Sequence, residues 1–105
     1  MRPIVVRTGE DGLMTAVHLT GELVCRDQDD VAVVVEYLPR HVALTRAEVG
    51  CISFRVTPTG DPLVWQVDEL FRDSAAFRAH QDRVAESEWG RATAGIERRY
   101  EIEGL

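Results

Sequence analysis

The chain of 105 residues contains no lysine; all twelve of its basic residues are arginine. This absence excludes two kinds of site, a Schiff base on a lysine amine and a phosphate-binding loop that depends on a lysine. Runs of basic residues are missing as well, and the formal net charge is −6. An acidic chain of this kind has no electrostatic footprint for nucleic acid or for anionic lipid, so we expect neither partner.

Long apolar runs and clusters of metal ligands are also missing. The longest apolar run, Val31–Val35, has five residues, whereas a membrane-spanning helix needs about 20. No apolar stretch of a signal peptide follows the N-terminus, so we predict a cytoplasmic protein without a membrane span. The histidines and cysteines are scattered and predict no metal site, and we expect Cys25 and Cys51 to be buried free thiols.

The remaining composition is that of an ordinary globular domain, with 45% apolar and 29% charged residues. A chain of this length has room for one hydrophobic core. We predict an N-terminal arm over residues 1–15, with a short edge strand at Ile4–Val6 as one option, and a single domain over residues 16–105.

Four segments alternate apolar and polar residues with the period of two that is typical of a β-strand. They are Ala16–Cys25, Cys51–Thr57, Leu63–Phe71 and Ile96–Ile102. In the second segment the alternation predicts that Ile52, Phe54 and Val56 share one face. Turn-forming residues at 58–62 join the second and third segments into a hairpin.

The first helix is predicted to follow the aspartates at positions 27, 29 and 30, which are good N-cap residues. Its apolar face is predicted to consist of Val31, Val34, Val35, Leu38 and Val42. We expect Pro39 to kink this helix or restart it near Leu38. Gly50 stands where the glycine just after a helix end belongs.

The second helix is predicted to begin at Asp73 and to run to about Glu88, where Trp89-Gly90 breaks it before a short helical piece. On this helix Phe77 and His80 fall on the stripe that packs against the rest of the protein. His80 is therefore either a hydrogen-bonded core residue or part of a cavity wall where a base is useful.

The element order β-α-β-β-α-β predicts an α+β, ferredoxin-like fold, with two helices on one face of a four-stranded antiparallel sheet. The other face has no helix to cover it, yet Val64 and Leu70 point that way. An uncovered face with apolar residues predicts a partner, most simply a second copy of the chain. We therefore expect a homodimer.

Three stretches of the sequence resemble the antibiotic biosynthesis monooxygenase family: EVGC at 48–51, VDELF at 67–71 and RDSAAFRAH at 72–80. The match covers roughly residues 16–102. The family pattern has a glutamate late in the third strand, an acidic or polar turn, an Ala-Phe pair and a helical histidine. Glu69, Asp73, Ala76-Phe77 and His80 match these positions.

The resemblance implies a dimeric α/β barrel with a pocket between sheet and helices. It also implies oxidation of quinol, polyphenol or anthrone-like aromatics with O2 and no metal, flavin or other cofactor. One departure concerns the helix after His80. Members commonly have Ser or Thr three residues later and a second histidine two further on, whereas this chain has Arg83 and Ala85, with Ser87-x-Trp89 one turn later.

The candidate catalytic residues are His80, Glu69 and Trp65. A pair between His80 and Glu69 would satisfy two groups that are costly to bury, and would raise the pKa of the histidine and lower that of the glutamate. The pair is either a structural strut or the base of a pocket. The candidate substrate-binding residues, which offer aromatic walls or polar groups, are Phe54, Trp89, Phe77, His18 and Arg83.

Two other interpretations remain open. One is a non-catalytic dimeric module of the same fold that binds a small ligand or acts in a stress response. The other is a haem-degrading enzyme of this fold, which is expected to present an asparagine on the first strand. The first strand here has none.

Overall fold

A computed structural model describes residues 15–105 and the backbone of Val5–Arg7. The strands are β1 (Val5–Arg7), β2 (Val17–Val24), β3 (Cys51–Pro58), β4 (Val64–Phe71) and β5 (Glu97–Glu103), and the helices are α1 (Gln28–Arg46), α2 (Ser74–Ala85) and α3 (Glu88–Ala92). The rest of the predicted N-terminal arm lies outside the described residues.

The strands form one sheet in the order β1-β5-β2-β4-β3. β2 to β5 are joined by antiparallel pairing, and β1 adds in parallel to the edge at β5. The alternation of the sequence gives β2 and β4 one buried face, on which Leu19, Val67 and Phe71 pack against the helices. The predicted α+β, ferredoxin-like fold is confirmed.

Helix α1 is continuous through Pro39, so the predicted restart near Leu38 is wrong. Its N-cap is Asp27, whose carboxylate accepts a hydrogen bond from the backbone N–H of Asp30. Because the helix passes through the proline unbroken, its period brings Val34 and His41 onto the buried face. Val35, which was predicted to be buried, is 58% exposed.

Gly50 does not end α1, contrary to the prediction. The helix ends at Arg46, and the capping residue is Ala47. Gly50 instead lies where α2 approaches most closely, because a Cβ at this position would come within 2.2 Å of the Cβ of Ala76. Its carbonyl accepts a hydrogen bond from the N–H of Arg72. A glycine is therefore needed here for packing of two elements and not for a helix cap.

A β-bulge changes the predicted face of β3. The register with β4 shifts between Cys51 and Ser53, so Ile52 has no direct partner in the ladder. Ile52 is consequently 58% exposed, while Phe54 is buried and Val56 is half-buried, as predicted.

Helix α2 begins at its predicted cap but ends earlier than predicted. Asp73 accepts a hydrogen bond from the N–H of Ala76, and the helix stops at Ala85. The hydroxyl of Ser87 then caps α3 by accepting from the N–H of Gly90. Trp89-Gly90 therefore lies inside α3 and does not break α2.

The sheet face away from the helices is mixed in character. Val64 and Leu70 are half-buried there, beside polar residues such as Thr20 and Asp68. The homodimer stays a prediction. Cys25 is buried and Cys51 half-buried, and both are free thiols. Among the described residues, no helix combines the length and the apolar character needed to cross a membrane.

Candidate functional site

His80 lies on α2 with only 3% of its surface exposed. Three rings surround its imidazole: those of Phe71, Phe54 and His41, with centroids 4.8, 5.9 and 6.1 Å away. The predicted inward orientation of this histidine is therefore confirmed, and its neighbours are largely aromatic.

Glu48, in the turn between α1 and β3, holds the imidazole in place. Its Oε1 accepts a hydrogen bond of 2.8 Å from Nδ1 of His80, and its Oε2 accepts one of 2.7 Å from Nε of Arg83. Arg83 also donates to the hydroxyl of Thr45 at 3.0 Å. Because a carboxylate only accepts, we assign the proton of His80 to Nδ1, which leaves Nε2 as the nitrogen with a free lone pair.

The predicted partner of His80, Glu69, lies on the other side of the ring. Its Oε1 is 3.7 Å from Nε2 of His80, which is beyond hydrogen-bond distance. Within the described part of the chain this oxygen has no hydrogen-bond partner. The sequence thus identified a neighbour of His80 but missed Glu48, which makes the hydrogen bond.

The pKa values of this pair shift opposite to the predicted directions. Burial, reinforced by the negative charge of Glu48, raises the pKa of Glu69 to about 8. Burial also lowers the pKa of His80, and the attraction of Glu48 offsets only part of this effect. The loss of hydration outweighs the attraction across 3.7 Å, so near neutral pH the pair is a carboxylic acid beside a neutral imidazole.

His41, on α1, is a second buried imidazole that the sequence analysis did not single out. It stacks on the indole of Trp89, with ring centroids 4.7 Å apart and planes at 7°. Burial lowers the pKa of His41 to about 3, and the nearby guanidinium of Arg83 and the protonated form of His80 add to this effect. His41 lies seven residues after Val34, a spacing that places both on one face of a continuous helix. The expected restart of the helix at Pro39 hid this relationship.

A cavity of about 420 Å³ lies between α1 and the segment formed by the end of α2 and α3. Its lining residues are Tyr37, Arg40, His41, Leu44, Arg83, Glu86, Ser87, Glu88, Trp89 and Arg91. No residue of the described strands lines this cavity. It therefore differs from the pocket between sheet and helices that the resemblance implies. Of the candidate site residues, only Arg83 and Trp89 line it; His80 and Glu69 lie deeper.

The remaining candidates occupy three different places. Trp65 shares a sheet face with Glu69 but lies four residues earlier on β4, about 13 Å away along the strand. Phe77 packs edge-to-face on Phe71 in the core, with centroids 5.8 Å apart. His18 is on the opposite sheet face, where its Nε2 donates to Asp68 at 3.3 Å. The structure therefore brings Phe54 to His80, but not Trp65 or His18.

The cavity suits an organic ligand by its chemistry. Its inner wall combines the aromatic side chains of Tyr37 and Trp89 with the guanidinium of Arg83. In the part of the chain that the structure describes, no three His, Cys, Asp or Glu side chains come close enough to share a metal ion.

A model of the antibiotic biosynthesis monooxygenase family matches residues 23–91, about two thirds of the chain. The chain belongs to this family. Glu48 and His80 fall within the matched range, as does every residue that lines the cavity. No match was found among curated proteins.

Solved structures of similar fold come from several bacteria. PA3566 of Pseudomonas aeruginosa is 24% identical, with a TM-score of 0.65 over 88% of this chain and 93% of its own. A Nitrosomonas europaea protein proposed to be an antibiotic biosynthesis monooxygenase is 16% identical, with a TM-score of 0.70 over 87% and 90%. Rv0793 of Mycobacterium tuberculosis is 21% identical, with a TM-score of 0.63 over 81% and 91%. At these identities the likeness concerns the fold alone.

Proposed function

We propose that this family member is a cofactor-independent monooxygenase that oxidises a small, electron-rich aromatic molecule with O2. Quinols, polyphenols and anthrone-like compounds are the substrate class. Family membership supports the reaction class. The observation that carries the proposal is the 2.8 Å hydrogen bond from Nδ1 of His80 to Glu48, because it leaves Nε2 of a buried imidazole ready to accept a proton.

The reaction balances without an external reductant. A base removes a proton from the ring system, and the resulting phenolate-type anion gives one electron to O2. The carbon-centred radical and superoxide combine to form a C–O bond, and the peroxide takes up the proton. Cleavage of the O–O bond with loss of the hydrogen that remains on that carbon leaves a carbonyl and one water. The substrate has then lost four electrons, and each oxygen atom of O2 has gained two, one atom ending in the carbonyl and the other in water.

In this scheme His80 is the proton acceptor. Its imidazolium form is stabilised by the carboxylate of Glu48, which no other imidazole in the described structure has at 2.8 Å. His41 borders the cavity, and its ring centroid lies 6.1 Å from that of His80. Of these two imidazoles we assign the base to His80, because His41 has no such carboxylate and burial lowers the pKa of His41 to about 3.

Oxygen uptake by metal-free protein tests this function. We expect uptake with at least one member of a panel of hydroquinones and anthrones, and a His80→Phe variant slower by about 100-fold, the lower range for loss of a general base. Arg78→Gln, an exposed change on the same helix, serves as control. The absence of oxygen uptake with every compound of the panel would contradict the proposal. An unchanged rate in a folded His80→Phe variant would contradict it as well.

One observation favours a second function, a non-catalytic module that binds a small ligand. His80 is almost fully buried and does not line the cavity, which is the arrangement expected if Arg83, Glu48 and His80 form only a structural strut. A ligand that binds to the metal-free protein without oxygen uptake, for any member of the panel, would favour this function over catalysis.

We also propose that two chains associate through the sheet face that no helix covers. The half-buried Val64 and Leu70 on that face support this, together with the dimeric barrel that the family resemblance implies. The cytoplasmic location remains a prediction.

A further inference from the structure

The cavity between the helices has an inner wall and a rim of different character. Its inner wall consists of buried or half-buried side chains: Tyr37, His41, Arg83, Ser87 and Trp89. Its rim consists of exposed side chains: Arg40, Leu44, Glu86, Glu88 and Arg91. The volume of about 420 Å³ lies within the range of small-molecule sites.

The inner wall is suited to a planar ring. Trp89 is held by the parallel stack on His41, so its indole is fixed and does not have to be ordered when a ligand binds. Tyr37, on α1, adds a second aromatic side chain to the lining. Rigid aromatic walls of this kind favour flat, apolar ligands over flexible ones.

Charge on the inner wall comes from one residue, Arg83. Two of its five N–H donors are used, by Glu48 and by Thr45, and the other three have no hydrogen-bond partner among the described residues. The two carboxylates that line the cavity, Glu86 and Glu88, are on the rim, where two arginines balance them. On the inner wall, therefore, the group available to a negatively charged oxygen is the guanidinium of Arg83, which is ion-paired with Glu48 on one side.

We propose that this cavity binds a planar hydroxylated aromatic as its phenolate, with the phenolate oxygen on Arg83 and the ring against Trp89. The proposal deepens the proposed function and rests on it for the identity of the ligand as substrate. It differs from the pocket between sheet and helices, because every lining residue belongs to α1, α2, α3 or the turn between the last two. It also links the ligand to the base, since Arg83 bonds to the same carboxylate that holds His80.

Two probes that cannot be oxidised test the site by equilibrium dialysis at neutral pH: 2,4-dinitrophenol, which is ionised there, and 1,3-dinitrobenzene, which is neutral. We expect the phenolate to bind about tenfold more tightly, which corresponds to about 1.4 kcal/mol. Arg83→Gln should remove this preference while leaving the neutral probe unaffected. Arg78→Gln, an arginine on the exposed side of α2, should leave both affinities as they are.

Arg83 also makes hydrogen bonds within the protein, so the Arg83→Gln variant could fail to fold. A second variant tests the site without changing Arg83. Leu44 is 40% exposed at the rim, so Leu44→Trp should fill the cavity and lower the affinity for both probes at least tenfold. Val49→Trp, at an 88% exposed position outside the cavity, is its control. Equal affinities of the wild type for the two probes, or unchanged binding in Leu44→Trp, would overturn the proposal.

The same variants separate this inference from the proposed function. If Leu44→Trp abolishes phenolate binding but no hydroquinone or anthrone gives oxygen uptake, the binding site is supported and the monooxygenase function is contradicted. If oxygen uptake depends on His80 but is unchanged in Leu44→Trp, the monooxygenase function is supported and the proposed binding site is contradicted.

Discussion

Glu48 and His80 are 32 positions apart in the chain, yet their side chains share a hydrogen bond of 2.8 Å inside the protein. The contact depends on the close approach of the turn after α1 to helix α2, which Gly50 allows by lacking a Cβ next to Ala76. Arg83 completes the arrangement by bonding to the second oxygen of Glu48. Glu48 and Arg83, from two separate segments, thus orient the imidazole of His80.

Replacing Glu48 by glutamine should destabilise the protein. The variant leaves Arg83 without a carboxylate and His80 without the negative charge beside Nδ1, so we expect a loss of about 1 to 3 kcal/mol in the free energy of unfolding. Urea denaturation at neutral pH measures it. Asp82→Asn, an exposed change on α2, should stay within about 0.5 kcal/mol. Equal losses in the two variants would contradict a specific role of Glu48.

Glu69 should make stability fall as the pH rises. Its pKa is raised from 4.5 to about 8 by burial and the charge of Glu48, so between these values the folded protein binds a proton that the unfolded chain has released. The free energy of unfolding therefore decreases with pH in this window, by at most about 1.4 kcal/mol per pH unit.

A Glu69→Gln variant tests the sign of this effect, because an amide does not titrate. Urea denaturation from about pH 5 to about pH 8 should show the variant gaining stability relative to the wild type as the pH rises. The difference between the two proteins cancels the titration of other groups. A constant difference across the window would show that Glu69 is ionised in the folded state.

Adding a methyl group at Gly50 should cost about 1 to 3 kcal/mol, since the new Cβ would lie 2.2 Å from the Cβ of Ala76 and force α2 outward. Gly60→Ala is the matched control, because nothing lies within 4 Å of a Cβ there. The double variant Gly50→Ala/Ala76→Gly should recover part of the loss, as measured by urea denaturation. Similar stabilities of Gly50→Ala and Gly60→Ala would contradict the packing role.

The proposed dimer predicts a particle of two chains in sedimentation equilibrium at micromolar concentration. Leu70→Glu places a charge on the sheet face away from the helices and should shift the mass toward one chain, because a buried unpaired charge is costly. Val49→Glu, on an exposed turn residue, should leave the mass unchanged. A wild type that sediments as a single chain would contradict the dimer.

Local patterns in the sequence were sufficient for the main elements. The period-two alternation of β2 and β4 and the Asp73 cap of α2 depend on neighbours along the chain, so these elements agree with prediction to within about one residue at their start. The predicted restart of α1 at Pro39 and the predicted helix end at Gly50 were wrong for different reasons. The packing of α1 overrides the helix-breaking tendency of the proline, and the glycine serves a contact with Ala76, 26 positions away.

By itself, the sequence determined the fold class, the family resemblance and the inward orientation of His80, because periodicity and short motifs are properties of local segments. Only the tertiary structure decided that Glu48 and not Glu69 makes the hydrogen bond to His80, and that His41 stacks on Trp89 beside a cavity between the helices. It also decided the directions of the pKa shifts. The physical reason is that partner choice and the loss of hydration depend on which distant segments meet, and no local pattern in the chain records this.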